Sequence, residues 1–175
     1  FNKALEVNPN YVNALLLNTD SLFNQYRNNE ALSMMKRAIK VDPLSPNVLR
    51  TDALQLIRQM QYDGAERDIQ ALIDANPNDP APFELLGELF SLKGLPQNAI
   101  PMHQEAHRLR PGDIYMAAEN ALAGLQLNDE NLTSQWLNEA RTRGADGRWT
   151  RSAENQVMYA NGDFDGLLKQ VDRLL

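Results

Sequence analysis

Apolar residues along the chain fall into short runs with helical spacing. Ala31, Met35, Ala38 and Ile39 form one run, and Ala65, Ile69, Leu72 and Ile73 form another, each suited to one face of a helix. Leu15 and Leu22, Leu49 and Leu56, and Phe83 and Phe90 recur at the i, i+7 spacing of further helices. The runs repeat. Pro9, Pro43, Pro77 and Pro111 follow one another at intervals of 34 residues. Ala4, Ala38 and Ala106 each lie five residues before one of these prolines, with Leu72 in the remaining place; Ala31, Ala65 and Ala99 lie twelve before. Phe1, Met35, Ile69 and His103 lie eight before. Shared periodicity at several independent positions is the signature of a repeat architecture.

The period has a physical reading. Proline lacks an N–H and disfavours helical backbone in the residue before it, so one helix ends ahead of each proline. Another begins soon after: Ser45-Pro46 and Asp79-Pro80 place a capping side chain before a proline at the first helical position, and Asp113 offers the same cap. Polar breaks at Arg27-Asn28-Asn29, Gln61-Tyr62-Asp63, Lys93-Gly94-Leu95-Pro96 and Asn128-Asp129-Glu130 split each unit into two helices. Helices of about 12–14 residues are marginal alone in water, so the hairpins must stack. Ala31, Ala65, Ala99 and Gly87 leave room for a neighbouring helix to approach.

These positions resemble the tetratricopeptide repeat. Phe83, Leu86, Gly87 and Phe90 match its first helix. Ala31, Met35, Ala38 and Pro43 match its second helix and closing proline. Gly94 and Gly162 match its mid-repeat glycine, and Tyr62 and Phe164 match the aromatic position that follows it in the pattern. The resemblance implies an all-α, right-handed α-solenoid of stacked antiparallel hairpins over residues 1–175: 1–11 ending a preceding repeat, four full repeats at 12–45, 46–79, 80–113 and 114–147, and a C-terminal capping repeat at 148–175. The chain departs from the pattern at Leu72, at Ala145 where proline is usual, at Ala117 and Gly124 where bulk is usual, and at Arg151 and Glu154 where apolar residues belong. Polar drift in the final repeat suits a solenoid end facing water. The chain opens on Phe1 within a helical pattern, so the missing half-hairpin is expected upstream in a longer parent, or the edge at 1–11 is covered by another copy in a homo-oligomer.

Composition narrows the chemistry. Of 175 residues, 17 are basic and 23 acidic, a net charge of -6 that argues against a general nucleic-acid binder. Without cysteine, the chain has no disulfide, thiolate nucleophile or Cys-type zinc site. No apolar run approaches the roughly 20 residues of a membrane helix. No secretory leader is read, and the expected compartment is the cytoplasm. His103 and His107 have metal-compatible spacing, but no third ligand and no His-Glu-x-x-His order accompany them, so they read as packing residues. Arg141, Arg143, Arg148 and Arg151 gather near Trp149, and Glu139, Asp146 and Glu154 soften that charge into a solvated turn. No phosphate loop or nucleophile elbow appears, so neither an enzyme nor a cofactor is expected.

The resemblance implies a concave face lined by the first helix of each repeat. Carried over by position, its partner-binding residues are Asn13, Leu16, Asp20 and Phe23, then Asn47, Arg50, Leu54 and Ile57. Glu84, Glu88, Tyr115, Leu122, Trp149 and Tyr159 continue the set. The family's clamp for a partner's C-terminal carboxylate is missing, because its places hold Leu16 and Asp20, Arg50 and Leu54, and Glu84 and Glu88. The expected function is a non-catalytic scaffold holding a peptide or helix in this groove. The alternative is a regulatory or self-association segment of a larger bacterial signalling or transcription protein, to which the turn Asp42-Pro43-Leu44-Ser45-Pro46 is similar.

Overall fold

The computed structural model describes residues 2–144 and 147–172, and every regular element among them is an α-helix. The helices are α1 (Asn2–Val7), α2 (Val12–Asn24), α3 (Asn28–Val41), α4 (Pro46–Arg58), α5 (Tyr62–Ala75) and α6 (Pro80–Leu92). They continue with α7 (Pro96–Leu109), α8 (Ile114–Gln126), α9 (Glu130–Gly144), α10 (Arg148–Ala160) and α11 (Phe164–Asp172). First helices of successive hairpins start at residues 12, 46, 80, 114 and 148, and second helices at 28, 62, 96, 130 and 164, so both series keep the 34-residue interval. The expectations for Phe1, Ala145 and Asp146 lie outside the described residues.

The punctuation works as its chemistry requires. Asp42, Asn76 and Arg110 stand before the periodic prolines at φ -149°, -148° and -133°, out of the helical range, and each still donates its N–H to the carbonyl four residues back. Asp79 and Asp113 cap α6 and α8 by accepting from the amides of Ala81 (3.0 Å) and Tyr115 (2.9 Å). Ser45 departs from expectation. It occupies the N-cap of α4, but its hydroxyl makes no capping bond, presenting one oxygen where the aspartates present two. Two mid-hairpin turns fall inside the expected breaks, at Gly94 and Asn128, while those at Tyr26 and Met60 lie one residue upstream of Arg27-Asn28-Asn29 and Gln61-Tyr62-Asp63, whose residues already begin the second helix. The turning residues, with left-handed backbone, are Tyr26, Met60, Gly94, Asn128 and Gly162, again 34 apart. Each sits in the same pair of bonds, as in Tyr26 N–H to the Phe23 carbonyl and Arg27 N–H to the Leu22 carbonyl, which closes the first helix in a Schellman motif.

The chain forms two compact units, Phe1–Pro77 and Asn78–Leu175. In the first, α2/α3 and α4/α5 are hairpins, and α4 packs on both α2 and α3. Leu15, Leu16, Met35, Ala38 and Val48 form its core, with Leu5 of α1 packed against them. Ala31 and Ala65 are fully buried, as close helix approach demands. Arg37 donates to the Pro9 carbonyl at 2.6 Å, tying the α1–α2 connection to α3.

In the second unit, α6/α7, α8/α9 and α10/α11 pair in turn, α7 packs on α8, and α10 packs on α8 and α9. The small residues are spaces already used. A Cβ on Gly87 would stand 2.0 Å from the His103 ring, and one on Gly124 would stand 2.9 Å from the Thr133 amide. The lost bulk at Gly124 is thus the room into which α9 starts. At the polar departure in the last hairpin, Glu154 accepts from Arg141 at 2.5 Å and from Gln170 at 3.1 Å, a polar tie in place of apolar packing.

Candidate functional site

A groove of about 570 Å³ opens in the first unit along α2 and α4. Six of the predicted residues meet there: Asn13, Leu16 and Asp20 from α2, and Asn47, Arg50 and Leu54 from α4. Packing the two first helices side by side brings equivalent positions together; Asn13 and Asn47 are 34 apart. Leu16 is anchored in the core, so the apolar floor is rigid. Asp20 accepts from the buried Gln55 amide at 3.4 Å. The side chains of Arg50, Asn13, Asn47 and Thr51 make no hydrogen bond or ion pair among the described residues. Phe23 and Ile57 are half-buried and stand outside the groove.

Sequence reasoning missed three lining residues, Tyr11, Leu17 and Thr51. Leu17 had a usable signal. The run Ala14-Leu15-Leu16-Leu17 spreads around most of a helix, so one leucine must point away from the core, and Leu17 is 51% exposed. Tyr11 precedes α2 and lay outside the repeat positions considered.

The corresponding residues of the second unit are largely occupied with one another. Arg110 donates to Glu84 at 2.6 Å and to Asp113 at 3.1 Å. The Tyr115 hydroxyl donates to Glu88 at 2.7 Å, and its ring rests 4.6 Å from that of Trp149. The Arg148 guanidinium lies over the Trp149 ring, 4.4 Å from its centroid. Burial raises the carboxyls of Glu84 and Glu119 above their usual range, and burial with the Glu88 bond raises the Tyr115 phenol. Leu122 packs against the core formed by Ala118, Ala121, Leu137 and Ala153. Tyr159 is exposed, in edge contact with Phe164, and with Leu125 and Leu167 it borders a separate cleft of about 400 Å³.

The histidines sit in different surroundings. His103 is fully buried against Gly87, neither ring nitrogen has a partner, and burial lowers its pKa to about 4. His107 stands edge-on to Trp136 and 3.5 Å from Glu139. No group of three metal-ligating side chains occurs among the described residues. The arginines near Trp149 are drawn to carboxylates or rings: Arg143 to Glu139, Arg141 to Glu154 and Arg148 to Trp149. No helix among the described residues is long and apolar enough to cross a membrane.

One further cleft, about 510 Å³ along α4 and α5, was not foreseen. There the carboxyls of Asp52 and Asp68 lie against each other, and burial together with the Asp52 charge pushes Asp68 up to about 6. Its signal was positional: each residue is the seventh of its helix, so the hairpin sets them opposite.

Solved structures share this arrangement of successive helix pairs. PilF of Pseudomonas aeruginosa superposes with a TM-score of 0.78 over 99% of this chain and 80% of its own, at 19% identity. The Thermus thermophilus protein TTC0263, described as a thermophilic TPR protein, gives 0.74 over 93% and 89%, at 21% identity. The chain has the tetratricopeptide-repeat fold. MamA of Desulfovibrio magneticus shares it, with a TM-score of 0.70 over 79% of this chain and 78% of its own, at 18% identity. In sequence, the UPF0162 protein PM0557 of Pasteurella multocida is 32% identical over 84 residues, 48% of this chain but only 31% of that protein. No family model matches the chain.

Proposed function

We propose that the chain is a non-catalytic protein-interaction scaffold that holds a peptide or helical segment of a partner in the α2/α4 groove. One observation carries the reading. The side chains of Arg50, Asn13 and Asn47 stand without partners among the described residues, around the apolar surface of Leu16, Leu17 and Leu54. Such a surface offers hydrophobic burial together with uncommitted donors and acceptors, which is what a segment docking in a groove requires. The fold shared with other tetratricopeptide-repeat structures is compatible with this role. Under this reading Arg50 contacts an acidic or carbonyl group of the partner, and Leu54 contacts an apolar side chain.

The test is a pull-down with the intact chain and with a folded Arg50→Glu, Leu54→Glu variant as bait. Partners held by the parent and released by the variant are expected. Partners held equally by both place the interaction elsewhere on the molecule.

A further inference from the structure

Two hairpins carry a polar pair at the same place. In α10/α11 the seventh residues, Glu154 and Gln170, meet through a Gln170 amide donating to Glu154 at 3.1 Å. In α4/α5 the same positions hold Asp52 and Asp68. An amide can donate to a carboxylate, but two carboxylates can only repel, and they bond only when one takes up a proton. Asp68 Oδ2 is buried and has no partner. On the helices packed about the pair, the charged groups include Asp20 on α2 and Arg50 and Arg58 on α4 itself. From α3 come Lys36, Arg37, Lys40 and, held by Arg27, Glu30. None of these acts on the two carboxyls. On α5, Asp63 lines the same cleft, and the Arg67 charge opposes proton uptake by Asp68 without outweighing burial and Asp52.

The second unit holds the opposite arrangement. His103 is sealed between α7 and the Gly87 backbone of α6 with both nitrogens unpartnered. A charge placed there would be buried without a hydrogen bond. Packed helices bring Glu84 and Glu88 on α6, Glu119 on α8, and Glu105, His107 and Arg108 on α7 itself; none bonds the ring. His107, one turn on, faces Glu139 instead.

We propose that mild acid acts on the two units in opposite directions: a proton shared by Asp52 and Asp68 fastens α4 to α5, while a proton on His103 drives α7 off α6. The signs follow from linkage. Folded Asp68 keeps its proton up to about pH 6, against 3.8 for an ordinary aspartate, so its hairpin gains stability as pH falls through 6 and loses it on the way back up. Folded His103 refuses a proton down to about pH 4, against 6.5 ordinarily, so its hairpin is fully stable above 6.5 and weakens as pH falls from there.

Hydrogen exchange on the intact chain at pH 7 and pH 5, corrected for the intrinsic pH dependence of exchange, reads both hairpins at once. Opening of α6/α7 is expected to rise roughly tenfold or more at pH 5. Opening of α4/α5 is expected to fall by a few-fold, reduced by the solvent exposure of the pair. Asp68→Asn removes the group that takes up the proton, sets an amide beside the Asp52 carboxylate as in the last hairpin, and abolishes the α4/α5 change alone. His103→Gln, or His103→Met if the glutamine does not fold, abolishes the α6/α7 change alone. Both hairpins moving in the same direction, or either change surviving its substitution, overturns the proposal.

Discussion

The two units put the same repeat positions to different uses. In the second, the first-helix residues are consumed internally: Glu84 by Arg110, Glu88 by Tyr115, Trp149 by Tyr115 and Arg148, and Leu122 by the core. In the first, Asn13, Asn47 and Arg50 stand without such partners beside the groove. Local rules divide the same way. The second unit turns at Gly94, Asn128 and Gly162, and Asp79 and Asp113 cap its helices. The first turns at Tyr26 and Met60, leaves Ser45 without a capping bond, and opposes two carboxyls. Departures from local consistency tend to gather near functional surfaces, and here they gather in the unit that holds the groove.

The strongest way to break this comparison is a matched pair of substitutions. Leu122→Glu places a charge against the core and should cost about 3 kcal/mol, seen as a lower denaturation midpoint. Leu54→Glu, at the same repeat position two repeats earlier, should shift the midpoint by less than about 1 kcal/mol while abolishing partner capture. Comparable losses in both would mean that Leu54 is also packing. Next, Gly87→Ala drives a Cβ into the buried His103 ring and should destabilise by about 2 kcal/mol in thermal melting. Indifference to that change would show that the α6/α7 interface has slack.

Smaller effects sharpen the contrast. Tyr26→Gly and Met60→Gly remove side chains that are 90% and 76% exposed and relieve left-handed strain. Each should stabilise by about 1 kcal/mol, whereas Gly94→Ala should destabilise by a similar amount. Urea midpoints of the three variants check this directly. Smallest is Ser45→Asp, which supplies the cap that Asp79 and Asp113 already provide and should add roughly 0.5 kcal/mol, again read as a midpoint.

The fold was legible because its determinants are local and repeated. Proline stops, small residues at close approaches and helix-spaced apolar residues all recur at 34, and each is a statement about one residue type at one position. The turns were less so: left-handed backbone at Tyr26 and Met60 has no residue signature, and the register of the neighbouring repeats alone points to it. The candidate surface was legible as a face but not as a site. Periodicity assigns Arg50 and Glu84 to one helix face, yet whether Arg50 stays unpaired and Glu84 meets Arg110 depends on which side chains lie opposite. Asp52 and Asp68 escaped for the same reason, being sixteen residues apart in sequence and adjacent only across the hairpin.

The most direct measurement is selection of a displayed random peptide library on the intact chain, followed by binding of the enriched peptides to Leu54→Glu, Arg50→Glu and Tyr159→Ala variants. The groove predicts enriched peptides that lose at least tenfold in affinity on either α4 substitution and bind the Tyr159 variant as they bind the parent. Peptides that bind the α4 variants unchanged, or a library that yields no enrichment, would contradict the groove as the site of recognition.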